Sequence, residues 1–380
     1  MITELVVEGL RGVEGGRAAL SLKSGLNIIT GKNGSGKTTL LKLMWYLISG
    51  NIEQALSETR FSSVRVVTDQ VILEVHDRSD ERTYRITPID GETIELKVEY
   101  DEDGDPVWYP NDDPDEFVSD MMSSRSSSIF FPTFRRIEGG FGIARRLPRL
   151  QSARPTSVKA STSLEAALEE VSRRLSNHDH RFVCSVSTAD IANILLQRYT
   201  EISEQSNRLQ TSISQGMIDR IKASKSALSP GPEQPAEAVL QEVLATIEGA
   251  DAERERLFLP IEQVRTVVSK IFRAKSISFG QRLSFGDAAT AVASDVLSAG
   301  EKQMLSFICY NALTSNASIL IDEPELSLHV DWQRLLFSTL EKQATNNQFI
   351  IATHSPFIYA KYPDREIQIN AERGDEALDG

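Results

Sequence analysis

Short apolar runs that end abruptly in polar clusters recur along this chain. Leu26-Asn27-Ile28-Ile29-Thr30, Ser318-Ile319-Leu320-Ile321 and Ile350-Ile351-Ala352 each have strand length and pass straight into small or charged residues. Runs without polar alternation predict central strands of a parallel sheet, covered on both faces. Between Thr38 and Ser49 the period changes: Leu40, Leu41, Met44, Leu47 and Ile48 fall at helical spacing, and Gly50 is placed to stop the helix. Glu301 to Leu313 reads as a second, amphipathic helix. The opening residues carry a strand pattern and not that of a signal peptide.

The middle of the chain is patterned for helices. Leu164, Leu168, Val171 and Leu175 form one stripe. A longer helix is predicted from Ser187 to about Lys222, with a thin stripe at Ile191, Leu195, Ile202, Leu209, Ile213, Met217 and Ile221. At 1.5 Å per residue it would extend roughly 50 Å. Ser226 to Pro235, with three prolines, interrupts the pattern, and Ala236 to Phe272 resumes it. A helical hairpin projecting from a core fits this layout; a packed helical cap fits such narrow stripes equally well. Asp101 to Glu116 holds eight acids among Gly104, Pro106, Pro110 and Pro114 and reads as an exposed loop, and the Ser-rich stretch Met121 to Ser128 as a mobile one. The expected organisation is an α/β domain in two parts, 1–140 and 271–380, with a mainly helical insertion over 141–270.

The polar clusters at the strand ends carry the chemistry. Gly31-Lys32-Asn33-Gly34-Ser35-Gly36-Lys37-Thr38 has every fixed position of a phosphate-binding loop, between a strand and a helix. Its backbone N–H groups, from Asn33, Gly34, Ser35, Gly36, Lys37, Thr38 and Thr39, are expected to cradle phosphates at the positive end of the helix. Lys37 is expected to reach the β- and γ-phosphates, and the Thr38 hydroxyl to ligate Mg²⁺. Asp322 emerges at the C-terminal end of its strand, where ligands of open α/β sheets bind, and is the candidate metal carboxylate. Glu323 can orient or deprotonate an attacking water. His354, after the next apolar strand, is placed to sense the γ-phosphate and steady that water. Leu297-Ser298-Ala299-Gly300-Glu301-Lys302-Gln303 offers a second anion site: the Ser298 hydroxyl and a helix beginning near Gly300.

These motifs together resemble the soluble ABC-type ATPases of the RecF/SMC/OLD group. Leu297 to Gln303 is similar to that class's signature motif, and Asp322-Glu323-Pro324-Glu325-Leu326-Ser327-Leu328-His329 with Trp332-Gln333 to the group's "DEPExxLH…WQ" element. Ile2 to Gly12 is similar to its first strand and basic turn, which implies that Arg11 touches nucleotide. Phe131-Pro132-Thr133-Phe134-Arg135-Arg136-Ile137-Glu138 resembles a segment of anti-phage defence ATPases such as Septu PtuA and retron-associated relatives. The resemblance covers the first hundred or so residues, this segment and positions 270 to 360. It implies an ABC-type P-loop ATPase fold with a mixed sheet and a helical insertion, and a homodimer or higher homo-oligomer closing around ATP, with Ser298 and Gly300 serving the partner's nucleotide. No clear glutamine loop stands between the matched parts, and Arg135 and Arg136 are the candidates to substitute for it. OLD nucleases carry a nuclease domain after the ATPase; after His354 only 26 residues remain here, polar and acidic, so any cutting is expected from a separate protein.

Composition narrows this further. At 380 residues and 40% apolar the chain can bury a substantial core. It has no run of eighteen apolar residues and so no expected membrane span. Two cysteines, Cys184 and Cys309, suggest neither a disulfide frame nor a metal cluster and fit a reducing cytoplasm. The excess of 54 acidic over 41 basic residues argues against bulk, nonspecific DNA binding. Positive charge gathers instead at Arg135, Arg136, Arg145, Arg146, Arg149, Arg154 and Lys159, a candidate contact for nucleic acid, nucleotide or an acidic partner. The expected protein is a cytoplasmic, Mg²⁺-dependent ATPase acting as the sensor or regulator subunit of a bacterial anti-phage system with a separate effector nuclease. The alternative is a RecF-like DNA-repair ATPase that binds DNA directly.

Overall fold

The computed structural model describes residues 1–10, 13–78, 81–100, 113–133, 136–138, 161–226, 236–274 and 298–369. In chain order the first part runs β1 (Ile2–Glu8), β2 (Arg17–Ser21), β3 (Leu26–Thr30), α1 (Lys37–Ile48), α2 (Ile52–Glu58), β4 (Ser63–Thr68), β5 (Val71–Asp77), β6 (Glu81–Pro88), β7 (Ile94–Glu99), α3 (Pro114–Ser123), β8 (Ser128–Phe131) and β9 (Arg136–Glu138). The second part runs α4 (Ser161–Leu175), β10 (His180–Phe182), β11 (Ser185–Ser187), α5 (Thr188–Ser226), α6 (Ala236–Ala274), α7 (Ala299–Leu313), β12 (Ser318–Asp322), α8 (Val330–Glu341), β13 (Gln348–Ala352), α9 (Pro356–Tyr359) and β14 (Glu366–Gln368).

The α/β expectation is met, with the main strands divided between two sheets. One is antiparallel, in the order β2-β1-β4-β5-β6-β7; the other is parallel throughout, in the order β10-β8-β12-β13-β3-β14. The predicted apolar runs occupy the middle of the parallel sheet, and all five residues of β3, β12 and β13 are buried. Successive residues face opposite ways. Ile29, Phe130, Leu320 and Ile350 join a core with α1 and the antiparallel sheet, while Ile28, Phe131, Ile319, Ile321 and Ile351 join another with α7 and α8. Trp45 of α1 packs on Phe130 and Phe182, with ring centroids 5.7 and 5.2 Å away, which seats the helix across the sheet. The buried amide of Gln348 locks the two sheets together: its Nε2 donates to the carbonyls of Ile2 and Lys23, and its Oε1 accepts from the Ile2 amide at 2.9 Å.

The antiparallel strands alternate, as β5 does in burying Val71, Leu73 and Val75 while Ile72 and Glu74 turn outward. The exposed face carries a charge ladder in which Arg65 meets Glu4 and Glu74, and Arg85 meets Glu74 and Glu95. Such cross-strand pairs favour one register.

The middle segment forms two 39-residue helices, α5 and α6, running side by side with Tyr199 against Phe258. Each is about 58 Å long at the standard rise. Both touch α7. Among their described side chains, Ile202 and Val264 are enclosed, whereas Ile218, Leu244, Ile247 and Leu259 are exposed. This same middle segment donates β10 to the edge of the parallel sheet.

Three sequence expectations need correction. The Ser-rich stretch Met121 to Ser128 is anchored in the core at both ends: Met122, Ser123 and Ser128 are buried, and the Ser128 hydroxyl lies 2.7 Å from His180 Nδ1, while Ser124 between them is exposed. The acidic segment does not stay a loop to Glu116, because Asp113 caps α3 by accepting from the amides of Asp115 and Glu116. Helix α7 is not amphipathic but buried on every side from Lys302 to Ala312. Its polar residues are internally bonded, with Gln303 Nε2 donating to the Pro324 carbonyl and Asn311 Nδ2 to that of Leu340. The acidic stretch 101–112, the basic cluster at Arg145, Arg146, Arg149, Arg154 and Lys159, the proline-containing break at 227–235 and the tail beyond 369 lie outside the described residues.

Candidate functional site

Because β8, β12, β13 and β3 are parallel neighbours, their C-terminal ends lie side by side, and the polar clusters converge there. After Thr30 the chain turns through 31–36 into α1. Gly36 caps the helix at φ +88°, a backbone conformation that L side chains rarely adopt. The Lys37 side chain is 5% exposed and folds back over the loop, its Nζ donating to the carbonyls of Gly31 at 2.8 Å and Lys32 at 2.9 Å. Burial pushes its pKa below the ordinary lysine value, against the opposing pull of the carboxylates of Glu323, Asp322 and Glu325. Asn33 and Gly34 are exposed, and Thr39 is half-buried. Ser35 Oγ is buried with no hydrogen-bond partner among the described residues.

Asp322 ends β12 and is fully buried. Its two oxygens take hydroxyl donors from different elements: Thr38 Oγ1, in the first turn of α1, donates to Oδ1 at 3.1 Å, and Thr133, just past β8, donates to Oδ2. Glu323 follows at φ +45°, a left-handed backbone unusual for a residue with a side chain, and its amide donates to the Ala352 carbonyl at 2.9 Å. That turn carries the Glu323 carboxylate towards β13, where Oε1 stands 3.9 Å from His354 Nε2. Desolvation and the charge of Lys37 lower the His354 pKa from its usual value, which favours the neutral imidazole. Glu325 Oε1 accepts from Thr353 Oγ1 at 2.8 Å and from the His354 amide at 2.7 Å; its Oε2 is buried without a partner among the described residues.

The structure thus brings Lys37, Thr38, Asp322, Glu323 and His354 to one place and leaves Ser298 apart. Ser298 is the N-cap of α7, in a reciprocal box with Glu301: its amide and hydroxyl donate to Glu301 Oε2 at 2.8 and 2.9 Å, and the Glu301 amide donates back at 3.3 Å. Among the described residues it makes no hydrogen bond to the phosphate-binding loop of its own chain. The helix begins at Ala299, one residue before the expected start. Gly300 is required by close approach, since a Cβ there would lie 2.3 Å from the Ser327 carbonyl oxygen. Arg11 and Arg135 lie outside the described residues, and of Arg136 only its backbone in β9 is described.

Two site residues were missed by reasoning from sequence alone, Thr133 and Glu325. Each was inside a quoted motif, but nothing local says that Thr133 meets an aspartate 189 positions away, or that Glu325 reaches an amide 29 positions on. The donor set fits a hard divalent cation such as Mg²⁺, which typically takes one or two carboxylates and completes its shell with water and phosphate oxygens. Asp322 and Thr38 are the residues that would hold it. The Ser35 hydroxyl, without a partner among the described residues, and the lysine folded over the loop fit a bound polyphosphate.

Over 86 residues the chain is 33% identical to "Retron Vc95 probable ATPase" of Vibrio cholerae serotype O1 biovar El Tor, covering 19% of this chain and 17% of that protein. Over 73 residues it is 40% identical to "Retron Ec83 probable ATPase" of Escherichia coli, covering 16% and 14%. The matches therefore span less than a fifth of these curated relatives. Among solved structures, an Smc head domain from Pyrococcus furiosus aligns over 98% of this chain and 94% of its own at 14% identity and TM-score 0.38, and an SMC head domain from Thermotoga maritima over 98% and 96% at 12% and 0.38. The family profile described as "AAA domain, putative AbiEii toxin, Type IV TA system" matches residues 26–360. With that match spanning both halves of the site, the chain belongs to this AAA-domain family.

Proposed function

We propose that this protein is the ATP-binding and ATP-hydrolysing sensor or regulator subunit of a bacterial anti-phage defence system, a homodimer closed around ATP that controls a separate effector nuclease. The observation that carries the catalytic part is the convergence of the Thr38–Asp322 contact and the Glu323–His354 pair on one sheet edge. Phosphoryl transfer to water needs positioning and charge stabilisation more than covalent chemistry from the protein. Lys37 and the loop amides bind the phosphates, Glu323 orients and deprotonates the water, and His354 steadies it from the far side. Mg²⁺, when bound at Asp322 and Thr38, supplies positive charge against the phosphate oxygens.

Two features support the dimer. Ser298 and the positive end of α7 could meet an anion once the Ser298 hydroxyl turns from Glu301, and among the described residues Ser298 makes no hydrogen bond to its own loop. A second copy, turned to face the first, would bring each Ser298 to the other's nucleotide. The defence assignment rests on the family and on the retron ATPases.

The test is co-expression of the Glu323→Gln chain with its neighbouring reading frames, followed by mass spectrometry of what copurifies. The expected result is an ATP-loaded dimer carrying a nuclease. A chain that stays monomeric with ATP and binds duplex DNA on its own would overturn this reading in favour of direct DNA repair.

A further inference from the structure

His354 stands just beyond the sheet, and its orientation needs a cause. The Thr353 amide still donates to the Ile29 carbonyl at 3.1 Å, as the ladder's last member there. The His354 amide is the next along and must find an acceptor elsewhere. Glu325 supplies it with Oε1, which also accepts from the Thr353 hydroxyl. The Glu325 carboxylate is itself fixed by its turn. The Pro324 carbonyl is held by Gln303 Nε2 at 3.2 Å, and the Leu328 amide donates to the Glu325 carbonyl at 3.1 Å. On the far side of His354, the Ser355 hydroxyl donates to Gln333 Oε1 at 2.6 Å, so the segment is gripped on both flanks of the imidazole. Its Oε2 is buried with no hydrogen-bond partner among the described residues, so the bonds that account for an oxygen here are those at Oε1. A neutral side chain could fill the volume, so the acceptor itself is what the position demands.

We propose that Glu325 is a positioning residue for hydrolysis: through Thr353 and the His354 amide, its Oε1 holds the imidazole beside Glu323. This rests on the reading above of Glu323 and His354 as the hydrolytic pair. Glu325 touches no reacting atom; it sets where His354 stands.

The test compares Glu325→Gln, Glu325→Ala and Glu323→Gln in the full chain, by steady-state ATPase kinetics, calorimetric ATP binding and exchange of the His354 amide. The Gln carbonyl can accept both hydrogen bonds, whereas Ala accepts none. Misplacement by about an ångström is worth roughly 100-fold in rate, so Glu325→Ala is expected to lower kcat by about 50-fold or more and speed His354 amide exchange. ATP affinity should stay within about twofold, and Glu325→Gln should recover kcat to within about tenfold of the parent. The proposal is overturned if Glu325→Ala keeps its kcat, if Glu325→Gln falls as far as Glu325→Ala, or if ATP affinity falls together with kcat. If Glu323→Gln also turns over normally, the fault lies with the hydrolytic pair itself and not with Glu325 alone.

Discussion

The hydroxyl of Thr38 lies 3.1 Å from the carboxylate of Asp322, although 284 positions separate them in the chain. The sheet order explains the meeting. β13 lies between β3 and β12, so the start of α1 needs to cross only one strand end to reach Asp322. A carboxylate with no exposed surface is stable only if its oxygens are bonded. Thr38 serves one of them and Thr133 the other.

Thr133→Val should therefore weaken metal-dependent binding selectively. It keeps the shape of the side chain and removes the donor to Asp322 Oδ2. Losing one hydrogen bond to a charged group is worth about 1.5–3 kcal/mol, which corresponds to roughly 10- to 100-fold. Calorimetry with ATP should show the affinity gained from Mg²⁺ falling by that factor, with affinity in excess EDTA within about twofold of the parent. A full metal-dependent gain in the variant would remove Thr133 from the site.

Gly300→Ala should destabilise the junction between α7 and the turn after Glu323. The added methyl would lie 2.3 Å from the Ser327 carbonyl oxygen, and a backbone atom cannot swing aside as a side chain can. Overpacking of this kind costs about 1–3 kcal/mol. Urea unfolding should show a midpoint lowered to match, and an unchanged midpoint would mean that α7 is free to shift.

The central strands were legible in sequence because each is covered on both faces, which leaves unbroken apolar runs, and the loop was legible because its glycines recur at fixed positions. Helix α7 was misread for a specific reason. Gln303, Ser306 and Asn311 look like a solvent face, yet each is buried and bonded within the protein. Serines 123 and 128 misled in the same way: Ser123 bonds the Asp120 carbonyl, and Ser128 meets His180. Polar residues that are buried by their packing and bonded either to a nearby carbonyl, as Ser123 and Ser306 are, or to a distant partner, as Gln303, Asn311 and Ser128 are, look the same in sequence as polar residues facing solvent. Gln333 shows this again: it sits in a recognised motif, but its role in holding the Leu328 carbonyl and the Ser355 hydroxyl appears only in three dimensions.

His180 should make stability fall in mild acid. Burial is the main cause that pushes its pKa down to about 4 from an ordinary 6.5, opposed by a backbone hydrogen bond with Ser123 and by the charge of Asp179, with the neighbouring His178 adding a little to it. Below 6.5 the unfolded chain binds a proton that the folded chain refuses, so the stabilisation is complete above 6.5 and drains away as pH falls to about 4. A shift of that size is worth about 3 kcal/mol at 1.36 kcal/mol per unit. Urea unfolding of His180→Gln, measured from pH 7 to pH 4, should lose less stability than the parent by about that amount. Parallel curves would show that His180 is not the titrating group.

Mixing two inactive chains should restore hydrolysis if the sites are shared. Ser298→Arg places a bulky cation where a partner's γ-phosphate must dock, but leaves Lys37 and its own loop intact. Lys37→Ala removes the amine that bridges the Gly31 and Lys32 carbonyls and leaves Ser298 intact. Each alone should bring turnover close to background, and Ser298→Arg should still bind ATP as a monomer. In a mixed dimer one site pairs a sound loop with a sound Ser298, while the other holds both lesions. With free exchange of equal amounts, half the dimers are mixed and each has one working site, so about a quarter of parental turnover is the upper expectation. The capping box with Glu301 bears on the result, because Ser298 must turn its hydroxyl from Glu301 Oε2 to meet a phosphate. Recovery should therefore appear only at ATP concentrations that also drive dimerisation, measured in parallel by sedimentation. Mixed dimers that form and yet show no recovery would mean that each chain hydrolyses ATP with its own residues alone.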